Sequence, residues 1–171
     1  MRREKRRLEW SQRLQKISKV AILLILFLGI VDRFFFSIIQ VEGRSMEPTF
    51  NHGDIIALSR MGIREGSLSR GEVVLFNHGS RLYVKRILGL PGELVEIRDG
   101  DIYINGKIVK NAFTMEHTYA YNIDKWDLDV GEYFVVGDNR NKDLSRDSRI
   151  FGPIKIDEIK GKYIFKLKIG G

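Results

Sequence analysis

The feature that most constrains this chain is an apolar run that begins near its N-terminus. Residues 20–31 read VAILLILFLGIV, an acid and a base follow, and residues 34–39 read FFFSII. A helix of twenty residues rises about 30 Å, which is the thickness of the hydrocarbon core of a bilayer. The run therefore predicts one membrane-spanning helix over residues 20–39, preceded by a tail of residues 1–19.

Two other interpretations of this run are less favoured. A helix that is apolar on all sides can be buried only inside a large protein, and this chain has 171 residues. A cleavable signal peptide ends in a site of small residues, and none follows Val31. A membrane anchor is the interpretation that remains.

The positive charge of the chain is concentrated in front of the apolar run. The formal net charge is +7, but residues 1–19 hold eight Lys or Arg and two Glu, so the other 152 residues carry only +1. Binding to nucleic acid requires positive charge on a folded surface that follows the phosphates, so no nucleic-acid partner is expected. Basic residues before a span stay on the cytoplasmic side, which predicts a single-pass cell-membrane protein with its folded part outside the cytoplasm.

The residues after position 40 show the pattern of strands. Short runs rich in β-branched residues recur between turn signals, and Asn105-Gly106 is a strong hairpin signal. These runs cover residues 72–76, 81–88, 93–98, 101–104, 107–110, 132–136 and 162–169. The pattern predicts a mostly β, antiparallel domain over residues 40–171, with a small insertion around residues 99–131.

Three polar segments stand out from this β pattern: residues 41–50, 83–86 and 137–149. The chain has no Cys, which excludes thiol nucleophiles, and no clustered His and carboxylate spacing suggests a metal. A Ser–His–Asp site could use His52, His78 or His117, but none of them lies in these segments. A Ser with a Lys is the other pairing, since burial lowers the pKa of a Lys amine and lets it act as a base.

Four ordered segments resemble the bacterial type I signal peptidases, most closely their shorter Gram-positive-like members. They are SMEPT at 45–49, RGEVVLF at 70–76, YVKRILGLPGE at 83–93, and GDN at 137–139 with SRDSR at 145–149. They occur in family order behind one N-terminal span. The resemblance implies a β-rich serine endopeptidase that removes signal peptides from exported preproteins, with the bilayer as a further partner and no cofactor or metal.

The resemblance also implies residue roles. Ser45 would be the nucleophile and Lys85 the general base, while Ser145 would orient the lysine. Asp147 and Arg149 would form a supporting ion pair. Five residues separate Asn139 from Ser145 where the family commonly has about three, so Ser148 is the alternative to Ser145.

The implied substrate preference is for small side chains at the first and third positions before the cut, which requires two shallow apolar pockets. Candidate residues for them are Val41, Met46, Phe50, Tyr83 and Val84. Ordinary core packing is an equally good interpretation of Phe50. Since Gly43 offers no hydroxyl, the oxyanion would be held by backbone N–H groups such as that of Ser45.

The spacing of the chain places the nucleophile near the membrane surface. Ser45 follows Ile39, the last residue of the predicted span, by six residues. Six extended residues reach about 20 Å at most, which suits a substrate that is itself held in the bilayer.

Two rival functions remain at this stage. A self-cleaving SOS-response repressor uses the same Ser–Lys chemistry, but it would need a helix-turn-helix domain where this chain has a basic tail and an apolar run. A membrane-anchored β-rich binding module would make the Ser and the Lys incidental, so that replacing either one would leave its activity unchanged.

Overall fold

The computed structural model describes residues 2–109, 114, 117–141 and 144–167, and it divides the chain into two units. The first unit, residues 1–36, contains one long helix, α1 (Arg2–Phe35). In the part of the chain that is described, no helix combines the length and the apolar character that crossing a membrane requires. The membrane span thus stays a prediction.

The end of the predicted span differs from the structure. Residues 36–39 were expected to be helical, but the helix ends at Phe35 and the next residues form strand β1 (Phe36–Gln40). The reason is tertiary, because β1 is hydrogen-bonded to strand β2 (Ile55–Ser59) in a sheet. An apolar run cannot by itself distinguish the last turn of a helix from a paired strand.

The second unit, residues 37–171, is built on two sheets. The larger sheet has seven strands in the order β1-β2-β11-β3-β4-β9-β10. Its further strands are β3 (Val73–His78), β4 (Arg81–Gly89), β9 (Glu132–Val136), β10 (Ile154–Lys155) and β11 (Ile159–Leu167). The pairs from β2 to β10 are antiparallel, which confirms the expectation of a mostly β, antiparallel architecture.

The smaller sheet has four strands in the order β7-β6-β5-β8. They are β5 (Leu94–Arg98), β6 (Asp101–Ile104), β7 (Lys107–Ile108) and β8 (Lys125–Asp127). The Asn-Gly turn between β6 and β7 has positive φ at both residues, 50° at Asn105 and 75° at Gly106, as a type I′ hairpin requires. The sheet begins at residue 94, so it starts before the predicted insertion at 99–131.

Strands β4 and β9 of the larger sheet lie between two core clusters, one of which also contains residues of the smaller sheet. Residues of β9 alternate between the two sides: Tyr133 and Val135 belong to one core cluster, while Phe134 and Val136 join the smaller sheet in another. Where the sheets meet, a Cβ on Gly89 would lie 2.7 Å from side-chain atoms of Leu128 and Val95. Glycine is therefore required there by the closeness of the sheets rather than by a turn.

The strand prediction missed the elements that depend on pairing with distant residues. These are β1, β2, the three-residue β8 and the two-residue β10. Two short helical segments also lie at the end of the polar segment 137–149 and after it. They are α2 (Ser148–Phe151), whose N-cap is Asp147, and a 3-10 turn over Ile156–Glu158.

Candidate active site

Ser45 lies on a loop between β1 and β2 that is closed by its own backbone. The N–H of Val41 donates to the carbonyl of Asp54 at 2.7 Å, and the N–H of Gly53 donates back to Val41 at 2.8 Å. Within the loop, Phe50 donates to the carbonyl of Met46. The side chains of Met46 and Phe50 are buried in the core, so they anchor the loop on either side of the turn that follows Ser45.

Lys85 reaches Ser45 from the middle of β4. Its Nζ donates to Ser45 Oγ at 2.7 Å and to the carbonyl of Val84 at 3.0 Å. Register places Lys85 opposite Val74 and Tyr83 opposite Phe76, so Lys85 and Tyr83 share a face of the strand. The structure thus brings the predicted nucleophile and base into hydrogen-bond contact across 40 residues of sequence.

The environment of Lys85 favours the neutral amine. Its residue is 3% exposed, and burial lowers the pKa of Lys85 from 10.5 to about 8. The negative charges of Asp147 and Asp138 raise this pKa, whereas the positive charge of Arg149 lowers it. A neutral amine is what a general base at the serine hydroxyl needs.

The segment that opens with GDN holds the Ser45 loop in place. The backbone N–H of Asn139 donates to the carbonyl of Ser45 at 3.0 Å, and its side-chain Nδ2 donates to the carbonyl of Arg44 at 3.1 Å. Asp138 accepts a 2.6 Å hydrogen bond from the Thr49 hydroxyl. Residues 137–139 were predicted only as one of the segments of the family pattern, and no local signal reveals that they bind the nucleophile loop.

Asp138 also forms a buried ion pair with Arg86, the residue after the candidate base. Arg86 Nε lies 2.7 Å from Asp138 Oδ1, and the second nitrogen lies 2.5 Å from Oδ2. The Arg86 guanidinium also donates to the carbonyl of Gly71 at 2.7 Å. Two hydrogen bonds in parallel fix the geometry as well as the charge, so β4 and the GDN turn are held in one relative position.

Asp147 is the acceptor around which the SRDSR segment is organised. It accepts from Ser145 Oγ at 2.6 Å, from the Gly137 N–H at 2.9 Å and from Arg149 Nε at 2.8 Å. Burial alone raises the pKa of Asp147, but the hydrogen bonds and charge of Arg149 outweigh it and lower the pKa, so the carboxylate is ionised. The predicted Asp147–Arg149 ion pair is thus present in the structure.

The two candidate serines of this segment have different partners. Ser145 Oγ donates to Asp147, and it also lies beside Gly137, whose own N–H binds Asp147. Ser148 Oγ instead accepts a hydrogen bond from the backbone N–H of Val135 at 2.9 Å, within the sheet core. The structure therefore places Ser145 next to the Ser45 loop, and the role of Ser145 in orienting Lys85 stays a prediction.

A cavity of about 470 Å³ opens beside Ser45 and Lys85. Four of the five predicted pocket residues line it: Val41, Met46, Tyr83 and Val84. The prediction for Phe50 is wrong, because its ring is buried in the core and packs 4.9 Å from the ring of Tyr163, contributed by β11. The lining also includes residues that sequence analysis did not propose: Ile39, Gln40, Glu42, Leu75, Leu82, Leu144 and Arg146.

The backbone N–H groups near the nucleophile are not equivalent. Gly43, which has a φ of +83°, donates its N–H to His52 Nδ1 at 3.1 Å and is therefore occupied. The N–H of Ser45 has no acceptor among the described residues, so it is available to a developing oxyanion. The position of Ser45 thus supplies both an attacking oxygen and a donor.

The histidines lie away from Ser45 or serve other contacts. His52 accepts from Gly43, His78 lies 2.9 Å from Glu158, and His117 packs beside Gly100. Among the described residues no group of three or more His, Cys, Asp or Glu could hold a metal.

Comparison with known proteins decides the family. Residues 14–168 match the signal peptidase family, peptidase S26. The chain belongs to this family. It is 33% identical to signal peptidase IB of Staphylococcus aureus strain Mu50 over 95% of this chain and 90% of that protein. It is 35% identical to signal peptidase I V of Bacillus subtilis strain 168 over 71% of this chain and 80% of that protein.

A solved structure also matches. The crystal structure of a signal peptidase I from Enterococcus faecalis V583 is 30% identical, with a TM-score of 0.46 over 57% of this chain and 97% of that chain. Membership of the family confirms the resemblance that the four ordered segments predicted. The chain is therefore a serine peptidase.

Proposed function

We propose that this protein is a membrane-bound endopeptidase that removes N-terminal signal peptides from exported preproteins, with Ser45 as nucleophile and Lys85 as general base. The observation that carries the proposal is the 2.7 Å hydrogen bond between Lys85 Nζ and Ser45 Oγ beside an open cavity. A hydroxyl becomes a useful nucleophile when a base lies within hydrogen-bond reach. Membership of the signal peptidase family supports the substrate class.

The reaction follows from these two groups. Neutral Lys85 takes the hydroxyl proton as Ser45 Oγ bonds to the scissile carbonyl carbon, and the carbonyl electron pair moves to oxygen. The Ser45 N–H stabilises this oxyanion, a contribution worth about 3–4 kcal/mol per donor in serine hydrolases. Protonated Lys85 then gives its proton to the leaving amine, and a water activated by the same amine releases the acyl group.

The open side of β4 suits an extended peptide. Strand β3 pairs with β4 from residue 81 to residue 86, whereas β9 pairs with it only from Arg86 onward. The segment 81–85 thus has one edge without a strand partner among the described residues, and this edge leads to Lys85. A peptide can add to such an edge as a strand, with its side chains alternating into the cavity. The apolar lining by Val41, Met46 and Val84 suits small side chains before the cut.

The membrane topology is part of the proposal. The apolar run within α1 anchors the chain, the basic tail of residues 1–19 stays in the cytoplasm, and the two-sheet unit lies outside it. Ser45 follows Phe35, the last helical residue, by ten positions, so the site is tied closely to the end of the helix in sequence. A substrate whose own signal segment is held in the bilayer suits that tether.

The chemistry is tested with a synthetic preprotein in detergent micelles. Ser45→Ala and Lys85→Ala are expected to lose cleavage by about a thousandfold or more while remaining folded, since they remove the nucleophile and the base. Lys85→Arg is expected to be inactive too, because a guanidinium does not release a proton. Lys125→Ala, which changes an exposed lysine of β8, is the matched control and should keep full activity. Cleavage at the normal rate by Lys85→Arg would exclude the Ser–Lys assignment.

The topology is tested by labelling single cysteines, which is possible because the natural chain has none. Lys125→Cys should react with a membrane-impermeant maleimide in intact cells, whereas Lys5→Cys should react only after the cells are opened. The reverse labelling pattern would contradict the proposed orientation without affecting the proposed chemistry.

A further inference from the structure

A second pocket adjoins the catalytic cavity. It has a volume of about 320 Å³ and shares two of its lining residues, Tyr83 and Arg146, with the cavity beside Ser45 and Lys85. The lining residues are His78, Gly79, Ser80, Arg81, Tyr83, Arg146 and Phe151. We call it the side pocket. Because the two spaces have a wall in common, a chain that occupies the cavity can place a side chain in the side pocket.

Two arginines give the side pocket a positive charge, which no carboxylate neutralises among the residues that the structure describes. Arg81 and Arg146 are exposed, and neither guanidinium group has an ion-pair or hydrogen-bond partner within the described part of the chain. The described residues of the lining include no carboxylate. The nearby carboxylate of Glu158 already binds His78 at 2.9 Å. Two guanidinium groups that face a common space without an anion favour an anionic ligand.

The position of Arg146 follows from the segment that supports the catalytic pair. Ser145 and Asp147 on either side of it are buried and hydrogen-bonded to each other. Since both neighbours face inward, Arg146 faces out toward the cavity and the side pocket. The backbone at Arg146 is therefore held in position by the hydrogen bonds of Ser145 and Asp147.

The floor of the side pocket is aromatic. The ring of Phe151 lies 4.3 Å from the stacked ring of His78 and 5.7 Å from the ring of Tyr83. Such a floor limits the water around a bound group and strengthens its attraction to the guanidinium groups. The volume of about 320 Å³ is enough for an acidic side chain with one or two methylene groups.

We propose that Arg81 and Arg146 form a subsite that binds an acidic side chain of the preprotein close to the scissile bond. The inference rests on the proposed function, since it assumes that the peptide lies along residues 81–85 of β4. Arg81 precedes Lys85 by four residues, about 13 Å along a strand, so the preferred acidic residue lies within about four positions of the cut. Substrate side chains alternate in direction, so only every second position can reach the subsite.

The test uses peptides that differ at one position. A neutral parent peptide is made with Glu or with Gln at each position from the fifth before the cut to the fifth after it. For each pair, kcat/KM is measured and the Glu-to-Gln ratio is taken for the wild type, Arg81→Gln and Arg146→Gln. Arg64→Gln removes the same charge from an exposed residue that lines neither pocket. Because the ratio is taken within each enzyme, a general loss of activity cancels.

The expected result is one position, or two positions separated by one residue, where Glu is preferred about two- to fivefold over Gln in the wild type. The Glu-to-Gln ratio of kcat/KM should fall toward one in Arg81→Gln and in Arg146→Gln, and it should stay unchanged in Arg64→Gln. In the wild type the ratio should decrease in 0.5 M salt. A wild-type ratio near one at all positions would overturn the subsite while leaving the cleavage itself established. Absence of cleavage of every peptide would instead contradict the proposed function.

An anionic lipid headgroup also carries negative charge, and experiments with added vesicles distinguish it from an acidic side chain of the peptide. If Arg146→Gln lowers cleavage only in vesicles of anionic phospholipid, with no Glu-to-Gln difference in detergent, the two arginines bind the membrane surface and the subsite proposal is wrong. If the Glu preference is the same in detergent and in neutral vesicles, the peptide subsite is supported.

Discussion

At the scale of single residues, the site is organised around one buried amine. Lys85 is 3% exposed and bonded to Ser45 Oγ, and burial in the sheet lowers its pKa from 10.5 to about 8. Charged amines avoid such surroundings, and the positive charge of Arg149 opposes protonation further. Burial disfavours the charged form of Lys85 and therefore favours the neutral amine, which is the form that can act as a base.

The pKa of Lys85 predicts the pH dependence of cleavage. Activity requires the neutral amine, so kcat/KM should rise about tenfold per unit below pH 8 and level off above it. At pH 7 about one tenth of the molecules carry the neutral form. The measurement is kcat/KM from pH 6 to pH 10 with a peptide that has no titratable side chains.

A chemically modified variant tests whether the pH at which kcat/KM is half-maximal reflects the pKa of Lys85. Because the chain has no cysteine, Lys85→Cys can be alkylated selectively to an aminoethyl thioether, which has the length of a lysine side chain with sulfur in place of one methylene group and an amine of lower pKa. The rise in activity should then move to lower pH. A profile that is flat from pH 7 to pH 9, or one that does not move in the alkylated variant, would contradict the assignment.

The two serines of the SRDSR segment should separate catalysis from stability. Ser145→Ala removes a hydrogen bond to the charged Asp147 beside the Ser45 loop and is expected to lower kcat about tenfold or more. Ser148→Ala leaves the buried N–H of Val135 without its acceptor and is expected to lower the free energy of unfolding by about 1–3 kcal/mol. Peptide cleavage and urea denaturation measure the two effects, and a larger loss of kcat in Ser148→Ala would reverse the assignment.

At the scale of elements, the end of β9 and the nucleophile loop touch through a glycine. A Cβ on Gly137 would collide with the Ser145 side chain and with the backbone carbonyl of Ser45. The next two residues bind the same loop, through Asn139 to the Ser45 carbonyl and through Asp138 to Thr49. A hydrogen-bonded strand end thus sets the position of a loop that carries the nucleophile.

Gly137→Ala is expected to lower kcat/KM by about a hundredfold or more, since a displacement of about 1 Å at reacting atoms costs that much. The backbone carbonyl cannot move aside without breaking its hydrogen bond from Asn139. Gly29→Ala, where a Cβ meets no atom within 4 Å, is the matched control and should keep full activity. Full activity of Gly137→Ala with an unchanged melting temperature would show that the contact has no influence on the site.

At the scale of the whole molecule, the two sheets are joined behind the active site by a buried arginine. Arg140 is fully buried, and it donates to the Thr118 hydroxyl at 2.6 Å and to the carbonyl of Gly137 at 2.7 Å. The pKa of Arg140 is lowered to about 10, chiefly by burial and then by the positive charge of Arg149, while the charges of Asp147 and Asp138 raise it. Thr118 is in turn bonded to Gly100, next to β6, so the smaller sheet contributes to the support of the catalytic segment.

Thr118→Val replaces the hydroxyl acceptor by a methyl group of the same shape. The guanidinium then loses a buried partner, and the free energy of unfolding is expected to fall by about 1–3 kcal/mol. Cleavage should weaken in parallel if Arg140 helps to position Gly137. Thr118→Ser keeps the hydroxyl and should retain most of the stability. Equal destabilisation by Val and Ser would contradict the role of this hydrogen bond, as measured by urea denaturation in detergent.

Local patterns predicted a large part of this molecule. The β-rich character, the Asn105-Gly106 hairpin and most of the strands of the larger sheet follow from period-two apolar runs and turn residues. Each of these signals lies within a few neighbouring residues, which is the range over which backbone geometry is decided. The ordered segments also predicted the family, which the match over residues 14–168 confirms.

Other features depended on partners far away in the chain. The end of α1 at Phe35 and the conversion of residues 36–40 into a strand are decided by pairing with β2. The sequence left Phe50 open between the substrate pocket and core packing, and the structure places its ring in the core against Tyr163, 113 residues later. No local pattern predicts these pairings, because the partner residues come together only when the strands assemble into the sheet.

The sequence by itself therefore determined the chemical groups that are available and the family to which they belong: a serine, a lysine, no thiol and a largely antiparallel scaffold. Only the tertiary structure decided that Lys85 is buried against Ser45, that Asp138 and Asn139 hold the nucleophile loop, and that Arg146 turns toward the cavity. The physical reason is that burial and charge at a site are sums over neighbours in space, and most of those neighbours are distant in sequence.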